Sequence, residues 1–211
     1  MEAILPDYPE TSESLIVQVR DPSNRAAWLQ FEQLYRPVIF RIARAKGLQH
    51  ADALDLVQQV LISVSSAIDR FEKQHEGVLF RNWLGRITRN AILKALSRRP
   101  RDRASGGSDV LDVLNEIPAD PETEALINLE YRRELFQRAA QQVRGQSQEV
   151  TWLAFEMTEL QQISIERAAA LLQISTGSVY AARSRIMRRI RNTIQQLEES
   201  DAEKETTDET N

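Results

Sequence analysis

The stretch Ser164-Ile165-Glu166-Arg167-Ala168-Ala169-Ala170-Leu171-Leu172-Gln173-Ile174-Ser175-Thr176-Gly177-Ser178-Val179-Tyr180 carries the most specific local pattern in this 211-residue chain. Ser164 stands where a helix N-cap belongs, so its hydroxyl can accept an amide hydrogen from the first turn. Ala168, Ala169 and Ala170 are small enough for another helix to approach, and Leu171 and Leu172 supply core. A tight turn follows at Gln173-Ile174, Ser175 caps a second helix, and the β-branched Val179 points back at the first. Two crossed helices joined by a short turn require this pattern, that of a helix-turn-helix. Glycine usually fills the turn position held by Gln173, whose left-handed backbone costs on the order of 1 kcal/mol.

The second helix presents Thr176, Ser178, Tyr180, Ala181, Arg183, Ser184 and Arg185 toward its start, with Arg188, Arg189 and Arg191 behind. Small and polar side chains at the N-terminal end can approach base edges, while arginines further along can hold phosphates. An Arg-rich helix alone reads equally well as a solvated face. Its coupling to the preceding helix and turn is what points to DNA.

A net charge of −4 argues against such a partner until it is mapped along the chain. From Glu198 onward, Glu198, Glu199, Asp201, Glu203, Glu205, Asp208 and Glu209 face Lys204 alone, so this tail carries −6 and the first 197 residues carry +2. Residues 81–103 are strongly basic with only Asp102 in opposition, and residues 183–191 have no acid at all. Distribution steers a protein toward phosphate more than the total does. The absence of cysteine excludes disulfides and thiolate metal sites and suits a reducing compartment. No apolar run approaches the roughly 18 residues that span a membrane. The acidic N-terminus (Glu2, Asp7, Glu10) does not resemble a secretion signal. A cytoplasmic protein without a membrane partner is expected.

Toward the N-terminus, Asp21-Pro22 reads as a helix start, with Asp capping and Pro preset at the first helical position. Trp28, Phe31, Leu34, Tyr35, Val38, Ile39, Ile42 and Ala43 then recur at three- and four-residue steps, and Gly47 ends the helix. A second helix from about Asp52 places Leu56, Val57, Val60, Leu61, Val64 and Ile68 on one face, before a polar segment around residues 72–77 breaks the pattern. A third, from about Phe80, buries Trp83, Leu84, Ile87, Ala91 and Leu96 and stops before Pro100. Residues 14–20 predict an extra helix packed on this bundle. Residues 104–123 change character: Ser105-Gly106-Gly107-Ser108 is flexible, Pro118 and Pro121 discourage a continuous helix, and at most a short turn forms near residues 110–114. Periodicity resumes with Leu126, Leu129, Leu135, Phe136, Ala139 and Val143, then with Val150, Leu153, Phe155 and Leu160. Strand signals are nearly absent, so the expected fold is all-α, two small helical domains joined by a linker.

Two segments of the first domain discriminate among DNA readers. Asp52-Ala53-Leu54-Asp55-Leu56-Val57-Gln58-Gln59-Val60-Leu61 resembles the region-two segment with which sigma factors dock on the clamp helices of RNA polymerase. Phe80-Arg81-Asn82-Trp83-Leu84-Gly85-Arg86-Ile87-Thr88-Arg89-Asn90 resembles the promoter-melting segment of that family, Phe-Arg-x-Trp-Leu-x-x-Ile-x-Arg-Asn. Both precede the helix-turn-helix, as region two precedes region four. Over residues 14–197 the chain is similar to sigma-70 factors of the extracytoplasmic-function group.

The resemblance implies region two at residues 14–100, an acidic linker at 101–124, region four at 125–197 and a disordered acidic tail at 198–211. Core polymerase contact would fall to Asp52, Asp55, Gln58 and Gln59. Gln59 stands where an acid is common and Leu61 where Phe is common. The −10 element would be read and melted by Phe71, Phe80, Arg81, Asn82, Trp83, Arg86, Arg89, Asn90 and Lys94, with the loop around residues 72–79 capturing a flipped base. Trp83, Phe71 and Phe80 read equally as core. The −35 element would be read by Thr176, Ser178, Tyr180, Ala181, Arg183, Ser184, Arg185 and Arg188. Asp109, Asp112, Glu116, Asp120, Glu122 and Glu124 either mimic nucleic acid inside polymerase channels or belong to an ordinary solvated linker. The implied partners are core RNA polymerase, through its clamp helices and flap, promoter DNA, and an anti-sigma factor.

An enzyme is the first rival. The chain has no phosphate-binding glycine loop and no nucleophile–base pair, and its two histidines are His50 and His75. Glu72 and His75 have the spacing of a di-iron helix motif, but such a site needs a second copy and further glutamates. Neither catalysis, a metal nor a cofactor is expected. A stand-alone helix-turn-helix regulator is the second rival, and it would footprint its operator without polymerase.

Overall fold

A computed structural model describes residues 13–74, 79–97 and 120–199. The fold is all-α, and every regular element among the described residues is helical. The helices are α1 (Glu13–Arg20), α2 (Arg25–Ala45), α3 (His50–Gln74), α4 (Phe80–Ser97), α5 (Pro121–Gly145), α6 (Glu149–Phe155), α7 (Ile165–Leu172) and α8 (Thr176–Glu199), with a π-helical turn at Glu156–Leu160. The chain divides into two compact units, one ending at Glu134 and the other spanning Leu135–Ser200. The expected tail beyond Ser200, the turn near residues 110–114 and the tip of the 72–79 loop lie outside the described residues.

In the first unit, α2 starts at Arg25 rather than at Pro22. Asn24 caps it by accepting the Ala27 amide at 3.1 Å. Asp21 is spent on a local turn, accepting from the Ser23 amide (2.8 Å) and hydroxyl (2.7 Å), an alternative that short polar side chains offer the backbone. Gly47 ends the following turn with φ +95°, a conformation that favours glycine. The α2 residues Phe31, Leu34, Tyr35, Val38, Ile39, Ile42 and Ala43 are buried as their spacing requires.

Helix α4 departs from its expected register near its end. Ile92 is buried, whereas Leu96 is exposed and Ala91 only half-buried. The buried row runs Leu84, Thr88, Ile92 at four-residue steps, because the partner face follows one line along the helix. Phe31, Tyr35, Phe71, Phe80 and Trp83 form one aromatic cluster, with neighbouring centroids between 4.7 Å (Phe31–Tyr35) and 5.8 Å (Phe31–Phe80 and Tyr35–Phe80). Edge and tilted contacts at these distances suit the ring quadrupoles.

Residues His50–Asp69 reach a mean hydropathy of 1.2, long and apolar enough by composition to cross a membrane. That revises the expectation of no such run. Its source is the core face of α3, where Ala53, Leu56, Val57, Val60, Val64, Ala67 and Ile68 are buried in the unit.

The first unit also takes in residues 120–134. Pro121 begins α5 rather than preventing it, since a proline at the first helical position loses no hydrogen bond. Ile127 and Tyr131 are buried, while Leu129 is exposed. The Tyr131 ring stacks on Tyr35 at 5.8 Å. The two compact units divide inside α5.

In the second unit, Trp152, Phe155, Ala168, Ala169, Val179, Ala182, Ile186 and Ile190 are buried. Ser164 accepts the Arg167 amide at 3.3 Å, and Ser175 accepts the Ser178 amide at 3.0 Å. Gln173 lies in the left-handed region with φ 55° and ψ 39°. Gln173→Gly should therefore raise stability by up to about 1 kcal/mol, because relief of left-handed strain exceeds the entropy glycine adds to the unfolded chain. Urea unfolding of the two proteins checks this.

Candidate nucleic-acid interface

Helix α4 carries most of the residues expected to meet melted DNA, and the structure distributes them unevenly. Phe80, Arg81 and Trp83 are buried, at 3%, 4% and 3% exposure. Phe71, Asn82, Arg86, Arg89 and Asn90 are half-buried, and Lys94 is exposed. Phe71 packs on Phe80 and Trp83 at 5.5 and 5.1 Å.

Two of the α4 arginines, Arg81 and Arg89, are engaged by the first half of α5 and the residue before it. Arg81 donates from Nε to Asn128 Oδ1 at 2.6 Å, and its guanidinium lies 4.6 Å from the centre of the Tyr131 ring. Asn128 is itself oriented by donating to the Glu124 carbonyl at 3.0 Å. Arg89 pairs with Asp120 at 3.1 Å. Arg41 of α2 pairs with the Glu130 carboxylate, reaches Glu134 at 3.1 Å, and donates to the Glu130 carbonyl at 3.2 Å. Lys46, just past α2, meets Glu122 at 2.8 Å.

Asp120 and Glu122 thus have partners within the chain, with Asp120 mostly covered and Glu122 still largely exposed. The Thr123 hydroxyl, then the nearby charges of Arg89 and Lys46, hold the Asp120 carboxyl below its ordinary value of 3.8. A folded-state pKa below the unfolded one stabilises the fold above pH 3.8, and that contribution disappears as pH falls through the lower folded value. Asp120→Asn should therefore flatten the acid limb of stability, with wild type losing more than the variant between pH 5 and pH 2 or so in urea titrations.

On α3, Asp52, Asp55, Gln58 and Gln59 are all exposed, and Leu61 is half-buried. Leu54 and Ile62 flank Gln58 at four-residue steps and are 41% and 66% exposed. Leu54, Gln58 and Ile62 form an exposed strip, apolar at both ends and bordered by Asp55 and Gln59, of the mixed character found in protein-binding surfaces. Sequence named neither Leu54 nor Ile62 as a core or a contact residue, because hydropathy gives an apolar side chain off the core row no partner.

The segment holding these two faces has a recognisable counterpart. Residues 33–102 match the family Sigma-70 region 2. The region 2 match takes in most of α2 and the whole of α3 and α4, about one third of the chain. It supports a sigma-factor role in promoter recognition, with core RNA polymerase and promoter DNA as the partners that region 2 implies. Arg41 and Lys46 lie within region 2 as well, and neither was singled out from sequence, since their partners are far along the chain.

The second unit holds the other expected DNA face. Thr176, Ser178, Tyr180, Ala181, Ser184, Arg185 and Arg188 are exposed on α8, opposite buried Val179, Ala182, Ile186 and Ile190. Ser178 is partly committed, its hydroxyl lying 2.8 Å from that of Ser175. Arg183 is half-buried and paired with Glu159 of the π-helical turn. Arg189 donates to the Ser147 hydroxyl at 3.0 Å and to Gln146 Oε1 at 3.2 Å. These two arginines hold α8 against its own unit, which leaves Arg185 and Arg188 outward. Among the described residues no cluster of His, Asp and Glu is placed to hold a metal, and the Glu72–His75 pair lies outside the described side chains.

Proposed function

We propose that this protein is a sigma factor of the extracytoplasmic-function group, which binds core RNA polymerase and directs promoter-specific initiation. The single observation that carries the proposal is the region 2 match, whose α3 offers Asp52, Asp55, Gln58 and Gln59 around exposed Leu54 and Ile62. That strip would dock on the polymerase clamp helices. The α4 cations and the loop before them would hold the separated −10 strand, by phosphate contacts and base stacking.

The helix-turn-helix of α7 and α8 would read the −35 element in the major groove. Thr176, Tyr180, Ala181, Ser184 and Arg185 approach the bases, and Arg188 the phosphates. Arg183 acts there by positioning the helix through Glu159. The second unit would also meet the polymerase flap. An anti-sigma factor would compete for the same faces, and the protein would work in the cytoplasm without a catalytic step of its own.

Run-off transcription with purified core polymerase over a promoter library tests the reading. Specific initiation from a subset of promoters is expected. A protein that footprints DNA alone and never directs core polymerase would instead be a stand-alone regulator.

A further inference from the structure

We propose that residues 120–134 form a built-in cover over the strand-binding face of region 2, closed in the free protein and displaced before promoter DNA is held. The inference rests on the proposed function, since it concerns the same α4 residues.

Occupancy is the first ground. Arg81 is buried under Asn128 and Tyr131, so no nucleotide reaches it while α5 is in place. The approach is close at Gly85, where an added Cβ would lie 3.7 Å from Glu124 Cγ and Ile127 Cδ1 and 4.0 Å from Glu124 Cα. That gap admits no base and no sugar.

Charge is the second ground. Asp120, Glu122, Glu130 and Glu134 meet Arg89, Lys46 and Arg41. A single strand on this face would bring phosphates to Arg89, so the Asp120 carboxylate occupies a phosphate's place, while the pairs at Lys46 and Arg41 anchor the cover beside it.

The seam is also imperfect, as a displaceable contact requires. Arg86 and Glu124 line a crevice with Gly85, Arg89, Asp120 and Thr123. The Arg86 Nε and the Glu124 Oε1 are buried there without a hydrogen-bond partner. Unpaired buried groups lower the cost of opening. Buried Ile127 and Tyr131 oppose it, so the cover stays closed until another binding event favours the open form. The separated strand, presented by the polymerase–promoter complex, supplies that event by binding only the open form.

The chain has no cysteine, so a Gly85→Cys, Glu124→Cys pair can form a single reversible lock within disulfide reach. The oxidised full-length protein should still bind core polymerase in a native gel, yet direct run-off transcription about tenfold less than the same sample after reduction. Equal transcription in the two states would overturn the cover while leaving the sigma-factor reading intact, and loss of polymerase binding on oxidation would also overturn it. A second variant needs no polymerase. Gly85→Leu inserts a wedge without changing charge, and should raise the free protein's affinity for a fluorescein-labelled mixed-sequence single strand of about 20 nucleotides by about tenfold. Unchanged affinity with an intact helical circular dichroism spectrum would sink the proposal. A rise in affinity with no run-off activity in wild type would keep the cover and discard the sigma-factor reading.

Discussion

Phe80→Ala should destabilise the protein by about 3–5 kcal/mol, the range for removing a fully packed aromatic ring. Phe80 is 3% exposed and touches Phe31, Tyr35, Phe71 and Trp83 at centroid distances of 5.5–5.8 Å. Truncation leaves a cavity between α2, α3 and α4, and those rings lose their edge contacts together. Chemical unfolding measures the effect directly. The result also settles two readings of this residue. A ring that served mainly to stack on DNA would leave the unfolding midpoint where it was and lower only strand binding. The burial points the other way, and Trp83, at the same exposure, should behave alike.

Ile62→Asp should lower affinity for core polymerase by about 2 kcal/mol, roughly 30-fold, if the α3 strip is the docking face. At 66% exposure the side chain contributes little to the fold, so stability should change by no more than about 0.5 kcal/mol. A charge placed in the apolar centre of an interface is desolvated without a partner, which makes the loss larger than that of the contact alone. Titration of labelled core polymerase reads it. The control is exposed Ser65→Asp, one turn beyond Ile62 on the same helix, where a smaller effect marks the edge of the patch. Equal affinity for wild type and Ile62→Asp would move the docking face elsewhere.

The two predictions differ in how far they could be read from sequence. Helix α3 showed its buried face by spacing alone, with Leu56, Val57, Val60, Val64 and Ile68 all inside. Leu61 of that face is only half-buried, and Leu54 and Ile62 lie off it, where hydropathy does not say whether an apolar residue meets a partner. The turn between α7 and α8 was legible to the residue. Ser164, Gln173, Ser175 and Val179 act on atoms within a few positions of themselves, and local chemistry leaves local marks. Helix α5 was the least legible. Its buried row is Ile127, Tyr131 and Leu135 together with Glu130 and Glu134, and acids on a core face erase the apolar period. Those acids face inward because Arg41 lies opposite.

The same division holds for the whole protein. Sequence alone determined the helical class, the two helices with their caps and left-handed turn, and the motifs of the segment that matches Sigma-70 region 2. Each depends on residues within one or two turns of one another, where propensity, capping and periodicity act. Only the tertiary structure decided that Arg81 spends its donors on Asn128 and Tyr131, that Arg89 meets Asp120, and that the acids from Glu122 to Glu134 answer Lys46 and Arg41. A guanidinium has the same donors for a phosphate as for a carboxylate, so its sequence cannot name the partner. What names it is the carboxylate that folding brings within reach.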